Sequence, residues 1–321
     1  MATSQDFVNW VCLPDRIDYR FLKYVLLAEH DSLLAFASGT THQTIYYPEV
    51  KAFHVCLPPR DVQQKIADVL TALDDLIDSN RRRIELLEQM AQAIYREWFV
   101  RFRYPGHEEV RLVDSPIGPI PEGWGVRAFS EVGVFTNGFA FKPSHWGDFG
   151  RPIIKIKELK QGVKDDTPRC NEEEIDPKFW IEAGDLLFSW SADLGAYRWP
   201  HEPGLLNQHL FKVDPVEGMS VEFLFHALQS AIPQFWDRAQ GTTMRHIKRS
   251  ALSEVTTTVP CQLLVDRFTQ DSAPMHRTAI TLRAQSYDLA AMRDLLLPRL
   301  VTGRIDVSRL DLDAVLEGAP A

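Results

Sequence analysis

Apolar residues, broken once by Asn80, recur at alternating steps of four and three through Ile66, Leu70, Leu73, Ile77, Asn80, Ile84, Leu87, Ala91, Ile94 and Trp98. That spacing keeps one stripe turned toward a partner helix and is the heptad seam of a coiled coil. The outer positions, in DDLIDSNRRRIELLEQ, are charged. The pattern predicts a spacer helix within 61–103, with Asp61 placed to cap its start. A run of about 38 residues would be about 57 Å long at 1.5 Å per residue. Asn80 falls on the seam. Buried there it would fix register at a cost in stability; rotated outward it would be a surface amide.

A second seam follows at Phe268, Met275, Ala279, Leu282, Leu289 and Leu296, interrupted by Ser272, Ser286 and Arg293. It predicts a helix over 263–303. Pro274 should kink it or mark a second start. Pro298 and Gly303, in LLLPRLVTGRIDV, should end it. Two such helices would pack on each other, antiparallel if a domain lies between them. The stretch 104–262 reads as that domain. VDSPIGPIPEGW leads in, and VGVFTNGFAF, RPIIKIKEL, GDLLFSW and HLFKVDP read as short strands. VEFLFHALQSAIPQFWDRAQ reads as a helix. The fold class is α+β: a mixed domain joined to two long helices packed as an antiparallel coiled coil. The tail, 304–321, is acidic and is expected to fray or to dock on a partner.

The chain repeats itself. GTTHQTIYYPEVKAFHVCLP (39–58) and GTTMRHIKRSALSEVTTTVP (241–260) start 241 − 39 = 202 positions apart. The same offset pairs Val11 with Val213, Phe21-Leu22 with Phe223-Leu224, and Leu26 with Leu228. It also pairs Ile45 with Ile247, Pro58 with Pro260, Leu87 with Leu289, Met90 with Met292, and Ile94 with Leu296. A domain-sized period means a two-copy duplication, not a solenoid. The second copy has about a hundred residues, roughly 103–202, ahead of its matching part. Residues 1–60 therefore read as a partial first domain, expected to expose sheet edges and apolar surface.

Composition narrows the function. Apolar residues are 45% and charged residues 25%, enough for a sizeable core. No run of eighteen apolar residues marks a membrane span, and no signal peptide opens the chain. Cys12, Cys56, Cys170 and Cys261 form no CxxC pair, so reduced thiols in a cytoplasmic protein are expected. The formal charge of −9 argues weakly against nucleic acid, yet a local patch decides phosphate binding. No His/Cys/Asp set has metal spacing, and no GxGxxG or Walker loop occurs. Neither a catalytic residue nor a metal site is assigned. DPKFW (176–180) lacks the second proline of an adenine methyltransferase motif. Glu158-Leu159-Lys160, with Asp148 upstream, has the form of a PD-ExK nuclease site on a strand-like segment, though no Pro-Asp precedes it.

The order NGFAFKPSHW, IIKIKEL, GDLLFSWSADLGAYRW, LLNQHLFKV, FLFHALQ, GTTMRHIKRSAL, then a long helix ending LLLPRLVTGRIDV, resembles the specificity subunit of Type I restriction–modification systems. CLPPRDVQQKIADVLTALDDLIDSNRRRIELLEQMAQAIYREWFV is similar to that family's central helix. The resemblance covers nearly the whole chain and rests on order and repeat, not on one diagnostic motif. It implies two target-recognition domains, each reading half of a split site in double-stranded DNA, held apart by the helix pair. Each copy would be the end of a recognition domain plus its spacer helix. It implies two modification (methyltransferase) subunits docked on the helices, restriction subunits able to join them, and no membrane. S-adenosylmethionine, ATP and magnesium would sit on those partners; this chain would bind no cofactor. The departure is the first domain. A truncated or wrongly placed start, a fragment completed by another chain or a second copy, and a phase-varied reading frame all fit. A rival reading is a coiled-coil adaptor that binds modification subunits without reading DNA.

Phosphate contacts call for Lys or Arg, and base reading for amide, forked or small hydroxyl groups. Lys142, Lys155, Lys157, Lys160 and Lys164 lie along the expected first strands of 104–262. RHIKR is the densest basic cluster and offers Arg245, His246, Lys248 and Arg249. Thr242 and Thr243 before it could cradle a phosphate; a solvated turn is the plainer alternative. The first copy has HQTIYY there, without Lys or Arg. SWSADLGAYRW offers Ser189, Trp190, Tyr197 and Arg198 in an expected loop that could stack on a base. Its tryptophans could equally pack beneath it. In NQH, Gln208 could read adenine and His209 could bond phosphate, or both could satisfy backbone groups.

Overall fold

The computed structural model describes residues 9–37, 44–241 and 245–308. The chain forms two compact units, Met1–Asn80 with Ser286–Ala321, and Arg81–Gln285. Helices α4 (Arg60–Tyr95) and α9 (Gln262–Val301) pass from one unit into the other.

The first unit also holds α1 (Tyr19–Ala28), α2 (His30–Ala35) and α3 (Tyr47–Ala52). Asp18 caps α1, its carboxylate accepting the Arg20 N–H at 2.8 Å. Burial alone would raise that carboxyl; hydrogen bonds from Arg20 and Arg60 outweigh it and hold the group below the ordinary carboxylate range. The apolar face of α1 buries Phe21, Tyr24 and Val25 against Ile66, Ala67 and Leu70 of α4 and Leu300 of α9. Each such side chain contributes about 1.5–3 kcal/mol by leaving water. The pairing of α4 with α9 here is antiparallel: Ile66 and Leu70 meet Leu300 and Leu296, while Asp74 further along α4 meets Arg293 at 2.9 Å. The buried Gln63 accepts the Asp18 N–H and donates to the carbonyls of Arg16 and Pro58, which ties the start of α1 to α4.

The second unit carries the sheets. Strands β1 (Leu112–Val113) and β2 (Ile120–Pro121) form a small antiparallel pair. Strand β3 (Gly125–Ala128) leads into the short α5 (Phe129–Val132). One four-stranded sheet has β5 (Arg151–Ile154) between β6 (Arg169–Cys170) and β10 (Gly204–Leu206), with β7 (Trp180–Ile181) beyond β10. β10 runs parallel to β5, with Leu205 opposite Ile153, and antiparallel to β7. The other is antiparallel, in the order β4 (Gly133–Asn137), β11 (Leu210–Pro215), β8 (Leu186–Ser189), β9 (Gly195–Arg198). Helix α7 (Val221–Asp237), capped by Ser220, covers this second sheet with Phe223, Leu224, Leu228 and Phe235. The short α8 (Ala251–Glu254) and β12 (Thr256–Val259), paired with β3, return the chain to α9.

Here too a short helix sits between the start of one long helix and the end of the other. Phe223 of α7 lies 5.1 Å from Phe99, and Phe99 lies 5.3 Å from Phe268 of α9, ring to ring. Arg283 pairs with Glu88 at 2.8 Å. The 202 offset reproduces the packing: Phe21 matches Phe223, Ile66 matches Phe268, and Leu300 matches Trp98. It reproduces the helix ends as well. The Arg103 amide bonds the Glu97 carbonyl and the Ile305 amide bonds the Arg299 carbonyl, each six residues back.

Several sequence expectations change. Arg60 opens α4, so Asp61 lies in the first turn, favourable to the helix dipole and not a cap. The α-helix ends at Tyr95 and a π-helical turn, Arg96–Val100, follows. α9 runs through Pro274 without a second start; the ring is exposed and only one backbone bond is forgone. Pro298 lies inside the last turns, and Gly303 follows at φ +71°. Asn80 is buried. Of the remaining seam residues, Ile66, Leu70 and Ile84 are buried, and Leu73, Ile77, Leu87, Ile94, Met275, Leu282, Leu289 and Leu296 are buried in part. In the tail, Val307 is buried and the Ser308 carbonyl accepts Lys65 at 2.7 Å, so 304–308 dock on their own unit; 309–321 lie outside the described residues. The first unit's described residues form no sheet. Val11 is 90% exposed, whereas its repeat partner Val213 is 1% exposed in β11.

Inside the second unit, His226 of α7 and His276 of α9 share a hydrogen bond, Nε2 to Nε2, at 3.0 Å. Burial, then the neighbouring charge, lowers both: His226 to about 3 and His276 to about 4. The unfolded chain then binds more protons as pH falls below the free value of 6.5, so the pair's contribution to stability is full above about 6.5 and is lost progressively toward about 3. Urea unfolding at pH 7.5 and pH 5 should show lower stability at pH 5, and His226→Leu/His276→Leu should shrink that difference. Leu70→Ala, in the first unit, should cost about 2–5 kcal/mol, against less than about 0.5 kcal/mol for the exposed Leu76→Ala, by urea unfolding.

Candidate nucleic-acid interface

Three of the singled-out segments meet at one edge of the second unit. The turn after β8 is tied to the basic loop by a short ladder. The Ala192 amide donates to the Arg245 carbonyl at 2.8 Å and the Ile247 amide to the Trp190 carbonyl at 3.0 Å. Ser191 forms a β-bridge with His246, and the His246 and Gln240 backbones each donate an N–H to the other's carbonyl. Ala192 holds φ at +59°, a conformation non-glycine residues adopt rarely, and the hydrogen bond from its N–H to the Arg245 carbonyl helps keep it there. The third segment, Asn207–His209, joins through Trp190. The indole Nε1–H donates to the Gln208 carbonyl at 3.2 Å, and the His209 ring lies 5.8 Å away. Ser191 Oγ and His209 Nδ1 share a hydrogen bond of 3.1 Å.

A fourth segment packs in. The Gln208 amide donates to the Phe139 carbonyl at 2.9 Å. Gly138 allows the approach: a Cβ there would stand 2.2 Å from the Asn207 carbonyl oxygen. Sheet ends thus position four loops, which is how a rigid scaffold presents recognition groups. The edge offers half-buried Gln208, His209 and His246, with exposed Arg245, Lys248 and Arg249 beside them. Arg245 stacks over Trp236 at 4.9 Å and donates to its carbonyl; Arg249 donates to the Phe135 carbonyl at 3.0 Å. Both guanidiniums are aimed by these contacts while still facing water. Lys160 is ion-paired with Asp193 in the same turn. Amide and imidazole groups flanked by cations can bond base edges and phosphates together.

Other candidates fall elsewhere. Ser189 is fully buried at the end of β8, its hydroxyl donating to the Ser191 carbonyl. Arg198 lies on β9, not in a loop. Its side chain is 10% exposed, paired with Glu222 and bonded to the Gly184 carbonyl. The end of β8 turns Ser189, and β9 turns Arg198, into the fold. Tyr197, on the same strand, is half-buried, and burial pushes its phenol up. Trp190 is half-buried against the core. Lys157 sits on α6 (Ile156–Gln161), paired with Asp166 at 2.6 Å. Lys142 is exposed, and the Lys155 amine lies 5.0 Å over the Trp146 ring. Thr242 and Thr243 lie outside the described residues.

The nuclease alternative loses its geometry. Glu158-Leu159-Lys160 is helical, because the Glu158 carboxylate caps α6 by accepting the Lys155 N–H at 3.0 Å. Glu158 is buried and Lys160 is taken by Asp193. Sequence reasoning missed Ser191, the strained Ala192, and the exposed aromatics Trp146 and Phe149. SHWGDFG carried the signal for the last two, aromatics set among turn residues.

Arg198→Ala should therefore act on stability. It leaves Glu222 buried without its partner, a loss of about 3–5 kcal/mol. Lys248→Ala, at an exposed site, should unfold within about 0.5 kcal/mol of the parent chain. Thermal and urea unfolding of the two variants separate these outcomes.

A family model described as the type I restriction modification DNA specificity domain matches residues 1–89 and 121–262. The chain is 25% identical over 328 residues to the MjaIX type I restriction enzyme specificity subunit of Methanocaldococcus jannaschii, covering 97% of this chain and 74% of that protein. It is 24% identical over 341 residues to the HindI type I restriction enzyme specificity subunit of Haemophilus influenzae, covering 86% and 74%. The crystal structure of the S subunit of a type I restriction–modification system from M. genitalium has the same fold, with a TM-score of 0.58 at 16% identity over 89% of this chain and 73% of that one. With well over half of its length matched by that one description, this chain belongs to the type I restriction–modification DNA specificity family.

Proposed function

We propose that residues 104–262 read one half of a split double-stranded DNA target and that the helix pair docks the modification subunits. The observation that carries this is the meeting of the 190–193, 207–209 and 245–249 segments in one hydrogen-bonded edge. Base-reading groups and phosphate-binding groups are there held by one scaffold. The chain itself does no chemistry on DNA. S-adenosylmethionine, ATP and magnesium belong to the partner subunits.

Docking is supported by apolar side chains left in water on the long helices. Leu86 and Met90 of α4 are exposed in the second unit, and Met292 and Leu295 of α9 in the first. Met90 and Met292 are repeat partners, 292 − 90 = 202. Two like exposed positions suit two like partner subunits.

The experiment is a methylation map of a methylation-free host expressing this chain with its modification subunit. A sequence motif with at least one specified half supports the reading. A complex that assembles and methylates nothing contradicts it. In the same complex, Arg245→Ala/Lys248→Ala should weaken DNA binding. Each lost phosphate contact should make the plot of log affinity against log salt shallower by about 0.9, so about 2 for the pair. Unchanged binding and slope would remove this edge from the interface.

A further inference from the structure

The buried histidine pair stands where the recognition fold meets its long helix, and the repeat shows what that place is for. The 202 offset carries His226 to Tyr24 and His276 to Asp74. In the first unit those two residues are also hydrogen-bonded to each other, Tyr24 Oη donating to Asp74 Oδ2 at 2.7 Å. Each copy therefore ties its short helix to its long helix by a side-chain hydrogen bond at the same point, although the residues differ.

The surroundings explain the difference. In the first unit Lys23 and Arg293 reach Asp74, each at 2.9 Å. Burial would raise the Asp74 carboxyl, but hydrogen bonds from Lys23, Tyr24 and Arg293 outweigh it and keep the group charged. In the second unit the matching positions are Phe225 and Ala91, so no cation stands there. Phe225 packs its ring on both histidines, at 5.0 and 5.4 Å, and Tyr95 stacks on His226 at 5.6 Å. An apolar slot accepts a neutral pair. One imidazole must then carry its proton on Nε2 and the other on Nδ1. Arg198 and Glu222 are the charged groups that act on His276, and they are paired with each other.

Apolar burial by itself has no direction, and ring contacts tolerate a range of offsets and tilts. A buried hydrogen bond has one geometry, and a slip of one residue would leave two ring nitrogens unpaired. We propose that the His226–His276 bond sets the angle at which the recognition fold is seated on α9, making both histidines positioning residues for the spacing at which the reading edge meets its half-site. The spacing clause rests on the DNA reading above; the seating clause does not.

The test uses the full chain with its modification subunits, as the parent, His276→Gln, and His226→Leu/His276→Leu. Glutamine keeps a neutral donor–acceptor pair. Two leucines remove both polar partners together and so preserve packing. Spin labels at exposed Ser230 on α7 and Asp271 on α9, with Cys12, Cys56 and Cys261 changed to serine, report the seating directly. Expected is one narrow distance distribution for the parent and His276→Gln, and a broadened or shifted one for the double leucine chain. The second readout is methylation of a plasmid library whose split site has its spacer lengthened or shortened by one base pair. The double leucine complex should methylate the altered spacings about tenfold more, relative to the natural one, than the parent does, the order of one net hydrogen bond. Folded double leucine chains with the parent's distances and the parent's spacing preference would overturn the proposal. If the parent methylates no split site, the DNA reading fails, and the distance distributions still decide the seating. Should the double leucine chain not fold, His276→Ala is read in the same two ways.

Discussion

Everything in this chain hangs on a short helix that must bury one face in the angle between the start of one long helix and the end of another. Helix α1 does this with Phe21, Tyr24 and Val25 against Ile66, Leu70 and Leu300. Helix α7 does it with Phe223 against Phe99 and Phe268. Helix α1, with ten residues, is too short to be stable alone, and α7, like most protein helices, draws its stability from the packing of its apolar face. Each long helix contributes its beginning to one seat and its end to the other. The helices must pair antiparallel within each unit for both seats to exist.

That constraint was written plainly in the sequence. A heptad seam survives in the order of residues because helical periodicity is local. The duplication was visible because both seats need the same apolar positions, so Phe21 and Phe223 share one register at the 202 offset. The boundaries of α4 and α9 were legible to a few residues. What blurred them were local events, the π-helical turn at Arg96–Val100 and two prolines that the packed helix tolerates.

The candidate interface is legible in the sequence only in part. Arg245, His246, Gln208 and His209 were visible as polar types near turns, and the fold brings them to one edge. Arg198 and Ser189 looked equally suitable and point inward. Residue type says what a side chain can bond; strand β9 and the place of Glu222 decide which way Arg198 faces. The start of α6 reads as strand in the sequence because Ile-Lys-Ile alternates like one, while the deciding feature is a single capping bond from the Lys155 N–H to Glu158. The His226–His276 pair was hidden for the opposite reason. Two histidines fifty residues apart carry no local signal, and only the repeat pairs them with Tyr24 and Asp74.

A chain with a formal charge of −9 can still present a cationic edge, because phosphate recognition depends on charges within about a Debye length of the contact. The edge proposed to read DNA is built from residues 190–193, 207–209 and 245–249. Hydrogen–deuterium exchange of the assembled complex, with and without duplex carrying its methylated motif, tests it most directly. Bound DNA should slow exchange in those three segments above all others of the second unit. Protection confined to other segments, with these three unchanged, would contradict it.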